Sequence, residues 1–376
     1  MTFCRNTLKT ALGVALVGSL AFLTACSPSA AEGGKGQAAA PVVVPGASAE
    51  ANEHLNSLYK KALESGKTDI VMYGPAPSAY KALHQVFLDR FPGINIVPQD
   101  QADAQTLTKL DVEAESGNRI ADLYVGGEAP QAAAKDNICM PADIRTAPAG
   151  FELPVDNDGK LLRFALRYFG FVYNTDMVKE EEAPKSWHDL LDPKWKGKIL
   201  IGDPTVPGGI RYILTSMMLP ETQAEWGKPY MEQLAAQELN FSQSEPTVSA
   251  DVASGRFPIG IGVYSGYYYD QKAKGAPLDM VFPLTDGGNF LARSGLCQIQ
   301  DSPHADATSL YLNWMFTQEG QNALGEKDNS YGVLPTAPGP SGAPAFADLK
   351  KLPYSNPDPE FNKEYFDYIV DLFKKS

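Results

Sequence analysis

The chain has 376 residues, 32 Lys and Arg against 45 Asp and Glu, a formal net charge of −13, and 44% apolar residues. That length accommodates two ordinary domains or one large two-lobed body, and the apolar share is enough for real cores. The acidic balance excludes a nucleic-acid binder with a basic face and a polybasic hold on anionic lipid, and four cysteines are too few for a disulfide scaffold.

The chain opens on Arg5 and Lys9, followed by an apolar run over Ala11–Ala25 broken only by Gly, Ser and Thr. The run is shorter than the roughly 20 residues a membrane-spanning helix needs, so it reads as a secretory signal over 1–25. It ends in Leu23-Thr24-Ala25-Cys26, which resembles a bacterial lipobox. That resemblance implies cleavage before Cys26 and a lipid on its sulfur. Ser27–Ala51 is rich in Ala, Gly, Pro and Ser, so 26–66 is expected to be the lipidated cysteine and a flexible tether. Cys139 and Cys297 are then the two cysteines left in an oxidising compartment, where a pair is expected in preference to two buried thiols.

From Lys67 the pattern alternates. Asp69–Tyr73 reads as a strand ended by Gly74-Pro75, and Ser78 is placed to N-cap a helix carrying Ala79, Leu83, Val86 and Phe87 on one face. Ile94–Val97 is a second strand, Thr106–Ser116 a second helix with Gly117 as its stop, and Ala121–Val125 a third strand followed by Gly126-Gly127. The β-α-β-α-β rhythm implies a parallel sheet covered on both faces, with ligands beyond the carboxyl ends of its strands. The turns after Tyr73 and Val125 are therefore candidate site loops.

A second unit begins near Arg167, with strands over Tyr168–Asn174, Lys198–Gly202, Pro258–Tyr264 and Met280–Pro283. Helices are expected after Ser186, from about Ile210 to Met218, and over roughly Glu221–Glu238 and Pro246–Ser254. A strand over Phe290–Ile299, a long helix over Ala305–Ala323 and a C-terminal helix over about Pro359–Lys375 complete the pattern.

Three segments carry a resemblance. Arg167-Tyr168-Phe169-Gly170-Phe171-Val172-Tyr173-Asn174-Thr175 contains a Gly-x-x-Tyr-Asn strand. The run from Pro184 to Lys198 contains Ser186-Trp187, Asp189-Leu190-Leu191-Asp192-Pro193 and Trp195-Lys196-Gly197-Lys198. Glu319-Gly320-Gln321 is followed by Tyr331-Gly332-Val333 and Pro335. Over Thr68 to about Thr336 the chain resembles the type II periplasmic solute-binding proteins of ABC importers, in their ferric-iron-binding group.

The resemblance implies an α/β fold of two lobes, each a mainly parallel sheet flanked by helices, joined by hinge crossover strands. Lobe 1 falls on 67–165 and 288–345, lobe 2 on 166–287, and 346–376 is a C-terminal helical segment packed back on the body. Cys139 and Cys297 then share a lobe, which favours their pairing. The implied role is non-catalytic: a monomeric receptor outside the cytoplasm, anchored through Cys26, that closes on a solute and presents it to a permease and its ATPase. A surface hydrolase or lyase and a sensor or adhesin lipoprotein are the alternatives from other classes.

Iron-binding members of that group hold Fe³⁺ with a His after the first strand, a Glu after the third and two adjacent tyrosines. Here the first position falls on Gly74-Pro75-Ala76, the second on Gly127 with Glu128 beside it, and the pair on Ser265-Gly266 amid Tyr264, Tyr267, Tyr268 and Tyr269. Ferric iron or a ferric chelate is thus the alternative ligand, and no resident metal or cofactor is expected. The turn Thr205-Val206-Pro207-Gly208-Gly209 leads into a helix whose free N–H groups favour an anion, and Ser78 offers the same chemistry on the other lobe. The turn lacks the Gly-Lys-Ser/Thr ending of a nucleotide P-loop, so ATP hydrolysis is rejected.

The expected ligand is a small organic phosphate, phosphonate or carboxylate. The expected site is Tyr73, Gly74, Ser78, Gly127, Glu128, Thr205, Gly208, Gly209, Tyr264, Tyr267 and Tyr268, with Arg211 and Arg293 as possible charge partners. His54, His84, His188 and His304 show no metal spacing; His84 and His188 are expected on helix surfaces or satisfied.

Overall fold

The computed structural model describes residues 41–127, 129–206, 209–283, 288–349, 351–353 and 359–374. Cys26, its lipobox, Glu128 and Gly208 lie outside the described residues.

The body starts earlier than the tether expectation allowed. Helix α1 (Ala49–Ser65) is N-capped by Ser48, ends on the left-handed Gly66, and buries Ala51, Leu55, Leu58, Tyr59 and Ala62. Val44 is also buried. Residues 41–66 therefore belong to the folded body, with Val44 and one face of α1 in its core. Composition misled here because the Ala/Gly/Pro/Ser stretch runs without a break into an amphipathic helix.

Three parallel strands follow, β1 (Asp69–Gly74), β2 (Asn95–Asp100) and β3 (Leu123–Gly126), with β1 between the other two. Helices α2 (Lys81–Arg90), α3 (Asp103–Ser116) and α4 (Pro130–Lys135) connect them and continue the chain. Short strands β4 (Cys139–Met140) and β5 (Val155–Asp156) lead into the long β6 (Leu161–Asn174). The second half of the fold contains β7 (Ile199–Gly202), α5 (Gly209–Ser216), α6 (Gln223–Trp226), α7 (Lys228–Ala235), β8 (Asn240–Ser242), α8 (Glu245–Ala253), β9 (Ile259–Tyr264), α9 (Ser265–Ala273) and β10 (Leu278–Val281). Strand β11 (Asn289–Ile299) returns to the first half, followed by α10 (Ala305–Met315), α11 (Gln318–Lys327) and, at the end, α12 (Pro359–Phe373).

Along the sheet the order is β2-β1-β3-β11-β6-β9-β7-β8. Strands β6 and β11 run antiparallel, from Phe169 opposite Phe290 to Leu161 opposite Cys297. The first part of β6 also pairs with β5, and its end pairs with β9 and β10, so this strand belongs to both halves. Leu55, Phe87 and Trp314 centre one core, and Trp187, Ile201 and Trp226 another. Helix α12 places Ile369 and Phe373 on the second core.

Two expected helices are divided. Glu221–Glu238 breaks at Gly227, between α6 and α7, where a Cβ would strike the Gln223 carbonyl. The long helix over Ala305–Ala323 breaks at Thr317, whose hydroxyl accepts the Gly320 N–H at 3.2 Å and starts α11 afresh. The helix expected after Ser186 is a 3₁₀ turn over His188–Leu191.

Cys139 and Cys297 are joined as a disulfide with Cα atoms 5.6 Å apart, tying β4 to β11.

Candidate functional site

A cleft of about 420 Å³ opens where β1 and β3 end, as the topology of a parallel sheet dictates. Its walls include Ala76 and Tyr80 beyond β1, Gly127 beyond β3, Arg167 of β6, Tyr212 of α5 and Arg293 of β11. Turns, hinge strands and a helix from the second half thus meet around one space.

Arg167 is the centre of this arrangement. It stands on β6 directly opposite Ala292. Its guanidinium carbon lies 4.9 Å from the ring centre of Tyr80 and 5.1 Å from that of Tyr264. The guanidinium donates to the Tyr80 hydroxyl, while its Nε has no partner among the described residues. Burial opposes the Arg167 charge, but Tyr80, Tyr264, Asp328 and Tyr267 more than offset that and raise its pKa above the ordinary value. Burial raises the Asp328 carboxyl in turn, while Arg167 and a hydrogen bond from Ser330 oppose the shift.

Tyr80 and Tyr264 approach Arg167 from the two halves of the fold. Burial pushes both phenols above their usual pKa, so they act as neutral hydrogen-bonding groups. The Tyr264 hydroxyl lies 3.4 Å from the Asp328 carbonyl and 3.3 Å from Ser330 Oγ. Tyr267 packs edge-on to Tyr264, ring centres 5.4 Å apart, and burial raises its phenol as well.

The second cation, Arg293, lies 3.8 Å from the Asp156 carboxylate, which also receives Arg163 Nε at 2.7 Å. Arg163 is buried and donates to the Gly127 carbonyl at 2.9 Å, which holds the turn after β3 in place.

Several expected site residues have other work. Tyr73 is fully buried, and its hydroxyl donates to Glu113 at 2.8 Å, away from the cleft. Gly74 is required because a Cβ there would collide with the Val125 carbonyl of the adjacent strand. Ser78 lies inside a 3₁₀ turn over Pro77–Tyr80 rather than at an N-cap, and both its N–H and its hydroxyl bond Asp100. Thr205 donates its N–H to Asp203 at 2.8 Å, and its hydroxyl bonds the same carboxylate. The Gly209 N–H at the start of α5 is taken by Glu245. Tyr268 is buried and donates to Asp279 at 2.9 Å. Gly127 borders the cleft, Tyr264 stands against Arg167, and Tyr267 packs on Tyr264.

Arg211 is spent on the carbonyls of Pro204 and Thr205. His84 is not on a surface: it is buried between Tyr80 and Tyr311, its Nε2 has no partner among the described residues, and burial lowers its pKa to about 4. Sequence reasoning missed Arg167, Tyr80 and Asp103 as cleft residues. A charged residue inside the apolar strand Leu161–Asn174 was the available signal for Arg167.

Residues 82–353 match the family described as bacterial extracellular solute-binding protein. The chain belongs to this family. It is a non-catalytic, extracytoplasmic solute-binding protein with the type II periplasmic binding protein fold, in the ferric-binding-protein-like group. It is 29% identical over 264 residues, 67% of this chain and 74% of the other, to an uncharacterized protein of Haemophilus influenzae. It is 25% identical over 300 residues, 77% and 85% of the two chains, to the Fe(3+)-binding periplasmic protein of Serratia marcescens. In three dimensions it is similar to the periplasmic binding protein AfuA from Actinobacillus pleuropneumoniae, solved with exogenous fructose-6-phosphate. That match has a TM-score of 0.59 and 24% identity and covers 82% of this chain and 97% of the other.

Proposed function

We propose that the protein captures a small organic anion (a phosphate, phosphonate or carboxylate) outside the cytoplasm and delivers it to the permease and ATPase of an ABC importer. The observation that carries this reading is the pair of guanidinium groups, Arg167 and Arg293, in the wall of one 420 Å³ cleft. A cleft of that size suits an organic solute, and planar fork donors suit oxyanions. The net charge of −13 repels anions at long range, so the attraction is local. The fructose-6-phosphate in the similar AfuA structure supports the same class.

In this reading the lobes, 67–165 with 288–345 and 166–287, close about β6 and β11, because only a solute touching both favours the closed form. A lipid on Cys26 holds the monomer at the membrane.

Ferric iron is the second reading, favoured by the Serratia relative's name and by Tyr264 against Arg167, with Tyr267 packed on Tyr264. It is weaker because burial disfavours the phenolates Fe³⁺ needs, and Tyr268 is turned to Asp279.

Protein purified without denaturation is to be examined by native mass spectrometry and metal analysis, then titrated with organic anions and with ferric citrate. A bound organic anion and compaction in X-ray scattering are expected. Stoichiometric iron with a visible tyrosinate band would overturn the anion reading.

A further inference from the structure

The cleft that holds two arginines also contains a carboxylate, Asp103. Asp103 stands in the first turn of α3, and its Oδ1 lies 3.5 Å from where a Gly126 side chain would begin, so it overhangs the turn after β3. Tyr124, on β3, donates to Oδ1 at 2.6 Å and is the side chain that fixes the carboxyl group. Burial raises the Tyr124 phenol and keeps it a donor. The other carboxyl oxygen has no hydrogen-bond partner among the described residues.

A carboxylate beside the seat of a bare anion works against that anion by Coulomb repulsion. It becomes favourable when the same solute brings a hydrogen-bond donor to it. We propose, resting on the anionic-solute reading above, that the ligand is bifunctional: its anionic group meets Arg167 and Arg293, and a hydroxyl or ammonium on the same molecule donates to Asp103. Asp103 is then the residue that separates polyhydroxylated or amino-bearing anions from bare ones, since a bare anion that covers this half-buried acceptor removes it from water without giving it a donor. The first turn of a helix also favours an acid at this position, but that role gives no discrimination among ligands.

The test is calorimetric titration of wild type and Asp103→Asn, which keeps an acceptor for Tyr124. Matched probes are inorganic phosphate against glycerol 3-phosphate and fructose 6-phosphate, ethylphosphonate against 2-aminoethylphosphonate, and hexanoate against gluconate. Wild type is expected to favour the donor-bearing member of at least one pair by about tenfold or more. Asp103→Asn should lose that preference, while binding of the bare member stays within about threefold or tightens. Equal loss for both members, or an unchanged preference, overturns the role of Asp103 and leaves the anion reading standing. Wild type that binds bare and donor-bearing anions equally overturns the bifunctional ligand alone. Wild type that binds none of the probes overturns the anionic-solute reading and this proposal with it.

Discussion

Glu245 places its carboxylate on the backbone N–H of Gly209, the first residue of α5. The N-terminal end of this helix, which the sequence marks as a seat for a ligand anion, is thus occupied by an internal carboxyl group. Burial raises the Glu245 pKa from 4.5 to about 7, against the opposing pull of the Gly209 and Ile210 N–H groups. The unfolded chain ionises first, so the stability this group contributes is full below pH 4.5 and is lost as pH rises through 7. Relative to Glu245→Gln, wild type should lose about 3 kcal/mol of unfolding free energy between pH 4.5 and 7.5. Urea denaturation at a series of pH values checks this, and parallel curves for the two proteins would remove Glu245 as the titrating group.

Helix α1 is a structural element of the body, packed with Leu55 fully buried among the first-core residues that include Trp314 and Phe316. Truncating Leu55 removes that apolar surface and leaves a cavity. Leu55→Ala should cost about 3 kcal/mol of stability, with ligand affinity unaffected. A variant as stable as wild type in urea would show that α1 is loosely held.

The segments that identify the family turn out to build the fold rather than the site. Trp187 of the Ser-Trp signature is fully buried, and its Nε1 donates to the Gly288 carbonyl at 2.8 Å. Glu319 pairs with Arg90 and accepts Trp314 Nε1, while Gln321 Oε1 accepts the N–H of Val333 at 2.6 Å. Strands and most helices were legible because apolar periodicity and Gly or Pro stops are local signals. The site was legible only in part, because side-chain direction depends on distant partners. Ser78 and Thr205 have hydroxyls suited to an anion, yet Asp100 and Asp203 claim them. Nothing in the tyrosine run distinguishes Tyr268, which turns to Asp279, from Tyr264, which turns to Arg167.

The disulfide closes a long loop, with 158 residues of sequence separation between Cys139 and Cys297. Cross-linking at that span restrains the unfolded chain strongly. The double variant Cys139→Ser/Cys297→Ser should lose about 4 kcal/mol, with the loss mostly in the unfolded-state term. The wild-type protein denatured without reductant should show no reaction of either residue with a thiol reagent when its peptides are mapped. Labelling at both positions would show that the bond does not form in the exported protein.

Arg167 serves binding and stability together, and the two roles can be separated. Its charge faces the cleft and also acts on the partly buried Asp328 carboxyl group. Arg167→Ala removes a fork donor from the anion seat and leaves Asp328 without that compensation. Affinity for the anionic solute should fall at least about 100-fold, and stability should fall as well. Adding Asp328→Asn relieves the uncompensated charge, so the double variant should regain most of the stability and none of the affinity. Calorimetry and urea denaturation on the two variants distinguish these roles: if stability and affinity recover together, Arg167 acts only by holding the fold, and the anion seat lies elsewhere in the cleft.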